Sequence, residues 1–346
     1  MKIANIMFGR ELGGIEQAFL DYNDALKLAG HDVLAITHPL AQINPQITGD
    51  VTYRSLNNLG KWDFTSAYKL KKILKDFQPD ATITHGNRAL SLTHKAQKHA
   101  GLHIGVTHNY KLKQFHKLDL IFATTKDLRR TVAETGVALT HIVRIPNMIN
   151  LPKNLANRME KSPSAPIVIG TMGRMVAKKG FDHLIDAAAK LNVMTRLPFK
   201  ILIGGEGEEK STLQRLIKKH KLQDKVELIG WVDNKADFFA KCDIFCLPSL
   251  HEPFGIVLLE AMSYGTPIVA YESEGPHEIF TEHPDAGLLV PVGNVGALAE
   301  SLSRVLANPM QRKFLTKQSR IAVEEEFSIP VVSRKIDATL KRFIHT

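Results

Sequence analysis

A chain of 346 residues is longer than one hydrophobic core usually serves, so the sequence predicts two domains of moderate size. Its composition, 44% hydrophobic and 23% charged, excludes a disordered, collagenous or fibrous chain. Its apolar runs are shorter than the roughly 18 residues of a membrane span, and its N-terminus lacks the long apolar stretch of a signal peptide. We therefore expect a cytoplasmic protein in which Cys242 and Cys246 are reduced core thiols.

The formal net charge of +10 is unevenly distributed along the chain. Residues 1–150 carry 19 Lys and Arg against 12 Asp and Glu, and Lys61–Arg130 alone carries 14 against five. Such a stretch is usually a solvated helix face. It also suits binding to nucleic acid, to an anionic membrane surface or to a phosphorylated substrate, and the charge alone leaves all these interpretations open.

Short apolar, β-branched runs alternate with amphipathic helical patterns through the first half of the chain. The pattern predicts strands at KIANIMF, DVLAITH, DATITH, HIGVTH, LDLIFATT and HIVRIP, with helices at IEQAFLDYNDALKLAG and TSAYKLKKILKDF. In the second of these helices the apolar face is formed by Ala67, Leu70, Leu74 and Phe77, and lysines cover the other faces. Alternating strands and helices indicate parallel βαβ units in a doubly wound sheet.

A polar stretch with three prolines near residues 150–165 predicts a linker, after which the alternation restarts. The second half has strands at IVIGTMG, FKILIGG, VELIGW, DIFCLPS, PIVAYES and GLLVPV, and helices at GFDHLIDAAAKL, STLQRLIKKH, GIVLLEAMSYG and VGALAESLSRVL. We therefore predict an α/β fold of two Rossmann-like, doubly wound domains, residues 1–150 and 166–329, facing across a cleft. A last helix, about 330–346, has Val332, Ile336, Leu340 and Phe343 on one face.

Ligands in such sheets bind beyond the carboxyl ends of the strands, so the loops after the strands are the candidate sites. Gly13 and Gly14 follow the first strand and lead into a helix, where backbone N–H groups favour an anion, although an empty tight turn fits this segment equally well. Neither this segment nor ILIGGEGEEK matches G-x-G-x-x-G, and no G-x-x-x-x-G-K-[ST] occurs. The sequence thus gives little support to a dinucleotide oxidoreductase or a P-loop enzyme.

Charged residues follow two strands of the second half. Arg174 and Lys179 share the loop in GTMGRMVAKKGFDHL, where two cations can hold a diphosphate, although ordinary surface charge would explain them if the loop stood alone. Glu252 lies in the loop of LPSLHEPFG, and Gly255 opens an apolar helix on which Glu260 is the single carboxylate. A carboxylate among such apolar neighbours is costly unless it is hydrogen-bonded or faces a polar site.

The stretch HEPFGIVLLEA resembles the signature of retaining glycosyltransferases of family four, the glycosyl transferases group 1 proteins, in which two acidic residues flank seven others. GRMVAKKGFDHLIDA, IGGEG and GLLVPVGNVGALAESL are similar to further segments of that family, specifically in the second domain. PDATITHG, GVTHN and GGIE resemble its first domain more diffusely. The resemblance implies the GT-B fold, in which the last helix commonly returns to the first domain.

The same resemblance implies a role for each matched residue. Arg174 and Lys179 would bind the donor diphosphate, Glu252 would contact donor-sugar hydroxyls, and Glu260 would hydrogen-bond the ribose. His108 would lie beside the donor sugar, so the residues implied in catalysis are Glu252, His108, Arg174 and Lys179. Donor-binding backbone is expected at Gly13, Gly14, Gly205, Phe254, Gly255, Ile256 and Val257, and acceptor contacts are expected from His85, Asn87 and Arg88.

The implied activity is transfer of a hexose, with retention, from a nucleotide-sugar donor such as a UDP-sugar or GDP-sugar. The acceptor would be a glycan or a lipid-linked molecule, in cell-envelope polysaccharide or lipopolysaccharide biosynthesis. No D-x-D sequence occurs, so neither a metal nor any other cofactor is expected. Because the basic stretch Lys61–Arg130 lies in the half that handles the acceptor in this family, it is predicted to face an anionic acceptor or the inner surface of a membrane.

Two other classes of protein are weighed against a glycosyltransferase. A nucleotide-sugar epimerase on the same fold would need further acid–base carboxylates, and a phosphorylase would need a lysine for pyridoxal phosphate; neither requirement is evidently met. A nucleic-acid-binding protein would need aromatic residues among its cations. Most aromatic residues of the basic stretch fall at positions that suit a core, so no nucleic-acid partner is predicted. These residues are Trp62, Phe64, Tyr68, Phe77, Tyr110, Phe115 and Phe122.

Overall fold

The computed structural model describes residues 1–58, 63–152 and 165–344. Most of the predicted linker, and Lys61 and Trp62 of the basic stretch, lie outside these residues. The chain forms two compact units. The first unit contains Met1–Asn150 together with the C-terminal stretch from Phe327, and the second contains Leu151–Glu326.

Thirteen strands are present among the described residues. They are β1 Lys2–Met7, β2 Asp32–Thr37, β3 Thr52–Ser55, β4 Ala81–His85, β5 Leu102–Val106, β6 Leu120–Ala123, β7 Ile142–Arg144, β8 Ile167–Met172, β9 Phe199–Gly204, β10 Val226–Gly230, β11 Ile244–Leu247, β12 Ile268–Tyr271 and β13 Leu288–Val290.

Twelve α-helices are present in the same part of the chain. They are α1 Gly14–Leu28, α2 Phe64–Phe77, α3 Gly86–Lys95, α4 Lys126–Glu134, α5 Phe181–Met194, α6 Lys210–Lys219, α7 Lys235–Lys241, α8 Ile256–Ser263, α9 Glu274–Glu282, α10 Val295–Ala307, α11 Pro309–Ala322 and α12 Ile329–Ile344. A five-residue π-helix, Val323–Phe327, separates the last two.

Each unit is built on one parallel sheet. The first sheet has the order β3-β2-β1-β4-β5-β6-β7, and the second has the order β10-β9-β8-β11-β12-β13. The chain therefore builds each sheet outward in one direction, returns beside its first strand, and continues in the other direction. This is the doubly wound Rossmann arrangement that the alternating pattern predicts.

The cores of the two units are formed by the strand runs and by the apolar faces of the helices. On α2 the residues Ala67, Leu70 and Leu74 are buried, as the helical periodicity predicts, and the Asp63 side chain caps the helix by accepting from the N–H of Ser66. The last helix, α12, packs against α1 within the first unit. There the Ser333 hydroxyl donates a 2.6 Å hydrogen bond to the Ala25 carbonyl.

Two aromatic residues of the basic stretch depart from the sequence prediction. Phe115 and Phe122 are buried, as predicted, but the side chains of Phe64 and Tyr68 are 71% and 73% exposed. Both lie on α2, opposite its buried face, because positions 64 and 68 are separated by one helical turn. These two residues are therefore exceptions to the prediction that most aromatic residues of the basic stretch suit a core.

Both cysteines are buried free thiols in the second unit. Cys246 lies within β11, and Cys242 precedes that strand. A side chain at Gly170 would bring its Cβ within 2.2 Å of the Cys242 sulfur, so the sheet closes directly over this thiol. In the part of the chain that the structure describes, no helix combines the length and the apolar character of a membrane span.

Acid is expected to destabilise the first unit through its buried histidines. His103 in β5 is fully buried, and burial, with a smaller contribution from the charge of His94, lowers its pKa from 6.5 to about 3. Between these two pH values the unfolded chain binds a proton that the folded protein does not. As the pH is lowered, the free energy of unfolding therefore decreases by about 1.4 kcal/mol per pH unit for this group.

Urea denaturation at several pH values between 7 and 4 would measure this dependence. The slope of the unfolding free energy against pH reports the number of protons taken up on unfolding, and in His103→Gln this number should be smaller by about one. Replacement of the exposed His116 by Gln should leave the slope unchanged. Equal slopes in wild type and His103→Gln would contradict the assignment.

Candidate functional site

The residues predicted to bind the donor converge at one edge of the second sheet. β8 and β11 are adjacent parallel strands, and the strand order reverses between them. The loop after β8 carries Arg174 and Lys179, and the loop after β11 carries Glu252. Ligands of doubly wound sheets bind at such a reversal because the two loops diverge there and leave a crevice.

Lys179 and Glu252 form an ion pair across this reversal. Their side chains are 18% and 11% exposed, so little water screens the pair. The Ser249 hydroxyl donates to the same carboxylate oxygen of Glu252 at 3.2 Å. The sequence marks out the two charged residues, but their contact and the part played by Ser249 appear only in the structure.

Glycine geometry brings the two loops together. Gly180 is the N-cap residue that precedes α5, and its φ of 61° lies in the left-handed region that favours glycine. A Cβ on this residue would lie 2.1 Å from the carbonyl oxygen of Pro248, at the end of β11. The N–H of Leu250 also donates to the carbonyl of Lys178 at 2.9 Å. The backbone thus fixes the distance over which Lys179 and Glu252 meet.

Glu274, at the start of α9, supports the Glu252 loop. One of its carboxylate oxygens accepts from the backbone N–H of Glu252 at 3.0 Å, and the other lies 2.5 Å from Nδ1 of His251. In return, the N–H of Gly275 donates to the carbonyl of Glu252. Glu274 is a residue that the sequence analysis missed, since nothing in its local pattern distinguishes it from a surface carboxylate.

Gly205 supports the other side of the site, in the loop after β9. Its φ is 126°, and a Cβ there would lie 1.9 Å from the carbonyl oxygen of Gly173. The neighbouring Glu206 carbonyl accepts from the N–H of Met175 at 2.8 Å. These contacts hold the segment that carries Arg174, whose side chain is exposed.

The amino end of α8 lies beside the ion pair. Gly255 precedes the helix with φ 91°, and no side chain caps the first turn. Phe254 is buried against Gly275, while Ile256 and Val257 are half-buried in the first turn. The first N–H groups of a helix have no partner within the helix, so this end favours a negatively charged ligand.

Glu260 is buried on α8 with 7% of its surface exposed. Its carboxylate accepts a 2.6 Å hydrogen bond from Nζ of Lys235, the first residue of α7. This pairing explains how a carboxylate is tolerated among apolar residues. Lys235 is a second residue that the sequence analysis missed, because it lies in a short helix 25 positions away.

In the first unit the structure brings two predicted histidines together. His85 ends β4, His108 follows the neighbouring strand β5, and Nδ1 of His85 lies 3.0 Å from Nε2 of His108. Burial lowers the pKa of His85 well below its usual value and lowers that of His108 to about 4. Both rings are therefore neutral near pH 7 and share one hydrogen bond.

The predicted acceptor residues are not equally accessible. His85 is only 2% exposed, so the structure contradicts a direct contact between this side chain and an acceptor. Asn87 is half-buried and Arg88 is exposed, both in the first turn of α3. The Arg88 guanidinium donates to the carbonyl of Phe8 at the end of β1, 3.2 Å away.

The predicted glycine loop of the first unit already contains a negative charge. Gly14 begins α1 after the extended residue Gly13. A Cβ on Gly9 would lie 1.9 Å from a carboxylate oxygen of Glu16, and one on Gly13 would lie 3.0 Å from the other. The chain's own carboxylate thus lies against this loop. Among the described residues no three His, Cys, Asp or Glu side chains are grouped to hold a metal ion.

Comparison with known proteins agrees with this geometry. Residues 154–322 match the family model of glycosyl transferases group 1, and residues 12–153 match that of glycosyltransferase family 4. The chain belongs to this family of glycosyltransferases. It is 29% identical to the lipopolysaccharide core biosynthesis glycosyltransferase LpsE of Rhizobium meliloti, over 95% of each chain. It is 26% identical to LpsD of the same organism, over 99% of this chain and 98% of that protein.

Solved structures assign the GT-B fold to the whole chain. The Anabaena protein Alr3699/HepE, in complex with UDP and glucose, has a TM-score of 0.83 at 19% identity, with 99% of each chain covered. The lipopolysaccharide outer core galactosyltransferase WaaB has a TM-score of 0.77 at 19% identity, covering 99% of this chain and all of that one. The fold predicted from the sequence is confirmed.

Replacement of Glu274 tests whether this carboxylate supports the Glu252 loop. Glu274→Ala should lower the rate of sugar transfer about tenfold, because a charge-assisted hydrogen bond to the loop is lost. Glu274→Gln keeps an oxygen acceptor for the N–H of Glu252 and should retain most of the rate. Hydrogen–deuterium exchange across residues 249–255 should increase in the first variant only.

Glu272→Ala provides a matched control, since Glu272 pairs with the exposed His277 at 2.9 Å. This variant should match wild type in both measurements. Unchanged exchange in Glu274→Ala would show that the loop does not depend on the carboxylate.

Proposed function

We propose that this glycosyltransferase moves a hexose, with retention of anomeric configuration, from a nucleotide-sugar donor to a glycan or lipid-linked acceptor. The observation that carries the proposal is the Lys179–Glu252 ion pair at the strand reversal of the second sheet. A cation there can bind a diphosphate, and a carboxylate beside it can bind sugar hydroxyls. The UDP bound by Alr3699/HepE supports a nucleotide sugar as donor.

The donor diphosphate is assigned to Arg174, Lys179 and the amino end of α8. Two cations and the unpaired N–H groups of a helix stabilise the charge that grows on the diphosphate as it leaves, which lowers the barrier to transfer. This stabilisation comes from the protein itself, so the proposed reaction uses no metal. The backbone at Phe254, Gly255, Ile256 and Val257 would line the phosphates, with Gly205 holding the loop behind Arg174.

The two carboxylates are assigned to hydroxyl groups of the donor. Glu252 would contact the sugar, and Glu260 would bind the ribose. Each now accepts from a lysine, Lys179 and Lys235 respectively, so donor binding exchanges one of these bonds. When the diphosphate attracts Lys179, the Glu252 carboxylate gains capacity for the sugar hydroxyls. The ion pair thus couples recognition of the phosphates to recognition of the sugar.

Retention is assigned to attack from the face that the nucleotide leaves. The bond between the anomeric carbon and the phosphate oxygen breaks, the bond to the acceptor oxygen forms, and the acceptor proton passes to the departing diphosphate. His108 is neutral near pH 7 and would hydrogen-bond a hydroxyl of the donor sugar. Asn87 and Arg88 are the remaining candidates for the acceptor. The carboxylate of Glu16 favours a hydroxyl over an anion at Gly13 and Gly14.

The biological setting is proposed from the relatives. LpsE and LpsD are named for lipopolysaccharide core biosynthesis, and each is similar to this chain over almost its whole length. We therefore assign the chain to the assembly of cell-envelope polysaccharide or lipopolysaccharide. Such acceptors are commonly anionic or lipid-linked, which agrees with a basic first unit.

Binding of the donor can be tested with UDP-, GDP- and ADP-sugars. At least one should raise the melting temperature of the protein, since a ligand that binds only the folded state stabilises it. Glu252→Ala should lower kcat about 100-fold or more, because contact with the sugar is lost in the transition state. If no sugar nucleotide shifts the melting temperature, the donor site is refuted.

Lys179 and Glu252 should be replaced together. Removal of Lys179 alone would leave the buried carboxylate of Glu252 without its cation, which would cost about 3–5 kcal/mol of stability. The double variant Lys179→Met/Glu252→Gln removes both charges at similar volume and should remain folded while losing transfer. Lys178→Met, on the exposed neighbour, is the matched control and should be active. A folded double variant with wild-type turnover would exclude the pair from the reaction.

The first unit is proposed to dock on the inner surface of a membrane through the exposed face of α2. Phe64 and Tyr68 lie on this face, and Lys71, Lys72 and Lys75 continue it by helical spacing. Nζ of Lys95 lies 4.3 Å above the Phe64 ring. Aromatic rings suit the interfacial region of a bilayer, and each lysine near an anionic surface contributes about 1 kcal/mol.

Flotation with liposomes tests this docking. The protein should float with vesicles of phosphatidylcholine and phosphatidylglycerol, and much less with phosphatidylcholine alone, because the lysines need anionic lipid. Phe64→Ser/Tyr68→Ser should reduce flotation several-fold, whereas Phe314→Ser, on the 48% exposed Phe314 of the second unit, should not. Absence of flotation with either kind of vesicle would refute docking on a membrane and leave a soluble anionic acceptor.

A further inference from the structure

The contact between His85 and His108 determines which nitrogen of each ring carries the proton. A neutral imidazole has one N–H donor and one bare acceptor nitrogen. Because Nδ1 of His85 faces Nε2 of His108 at 3.0 Å, one of these atoms donates and the other accepts. Two arrangements are therefore available. In one, the outer nitrogen of His85 is bare and that of His108 carries a hydrogen; in the other, the outer nitrogen of His85 carries the hydrogen and that of His108 is bare.

The surroundings of His85 distinguish the two arrangements. Its Nε2 is buried and has no hydrogen-bond partner. The rings of Phe19 and Tyr22 pack edge-to-face against it, with centroids 5.8 and 4.9 Å away. A buried N–H without an acceptor is less tolerated than a buried lone pair. His85 therefore keeps its proton on Nδ1 and donates a hydrogen bond from this N–H to Nε2 of His108.

From this contact we propose that His85 is a positioning residue that holds His108 in the tautomer protonated on Nδ1. Nε2 of His108 accepts a hydrogen bond from the Nδ1–H of His85, so the only N–H of the neutral His108 ring is at Nδ1. His108 is half-buried, whereas His85 is buried. His108 thus presents a hydrogen-bond donor to a ligand oxygen. This assignment rests on the proposed role of His108 beside the donor sugar.

A donor at this position has a defined chemical partner. Nδ1–H can bind a hydroxyl oxygen of the sugar or an oxygen of the departing phosphate, and it cannot remove a proton from the acceptor. This agrees with a transfer in which the diphosphate takes the acceptor proton. The stacked arrangement of the two rings, 26° apart with centroids at 5.2 Å, keeps the direction of this donor fixed.

Long-range ¹⁵N–¹H correlation spectra of the ¹⁵N-labelled full chain at pH 7 test the proposal without any substrate. Both rings should show a pyrrole-type Nδ1 and a pyridine-type Nε2. In His85→Ala, water replaces the donor, and His108 should shift toward the Nε2–H form that predominates for a histidine side chain in water. His116→Ala, at an exposed histidine, is the control and should leave the His108 signals unchanged. A pyridine-type Nδ1 on wild-type His108, or an unaltered tautomer in His85→Ala, would overturn the proposal.

Kinetics separate positioning from a purely structural role. His85→Ala should lower kcat about tenfold, and it should have no further effect in a His108→Ala background, since both changes remove the same interaction. An equal loss in both backgrounds would refute positioning. If His85→Ala fails to fold, the wild-type spectrum alone still decides the tautomer. Failure of the proposed glycosyltransfer would appear differently, as absence of transfer by a wild-type protein whose two histidines have the predicted protonation.

Discussion

Parallel pairing of strands is the constraint from which the rest of this molecule follows. In a parallel sheet every strand ends at the same edge, so residues far apart in the sequence meet without any local signal. Lys179 and Glu252 are 73 positions apart, yet they are joined because β8 and β11 are neighbours. The same constraint joins His85 and His108 through the pairing of β4 with β5. In both pairs, the order of the strands in the sheet brings the two residues close together, and the side chains then form the contact.

Much of the fold is contained in local patterns. The apolar runs and helical periodicity predict twelve of the thirteen described strands and the buried face of α2. The exception is β3, whose four residues are all exposed, because an edge strand with no buried face has no apolar pattern to detect. In the second unit the helices α7, α9 and α11 were not predicted. For α7 the reason is its length, since seven residues give too few turns for periodicity to be visible.

The sequence predicts individual residues of the site, but it does not predict the contacts between them. Glu260 stands out because a carboxylate is rare in apolar surroundings, and Glu252 stands out because it follows a predicted strand. Their partners do not, since Lys235 and Glu274 are ordinary charged residues until the fold brings them within hydrogen-bond distance. Burial is equally non-local, which is why His85 was assigned to an acceptor that its 2% exposure cannot reach. Sequence identified the charges, and packing determined their partners.

The distribution of the two thiols has a practical consequence. Cys242 and Cys246 are both buried in the second unit, and the first unit contains no cysteine. Burial also raises the pKa of the Cys246 thiol, which keeps it in its unreactive form. An alkylating reagent therefore modifies this protein only when the second unit opens. The rate of thiol labelling would then report the opening of that unit separately from the other, without any engineered probe.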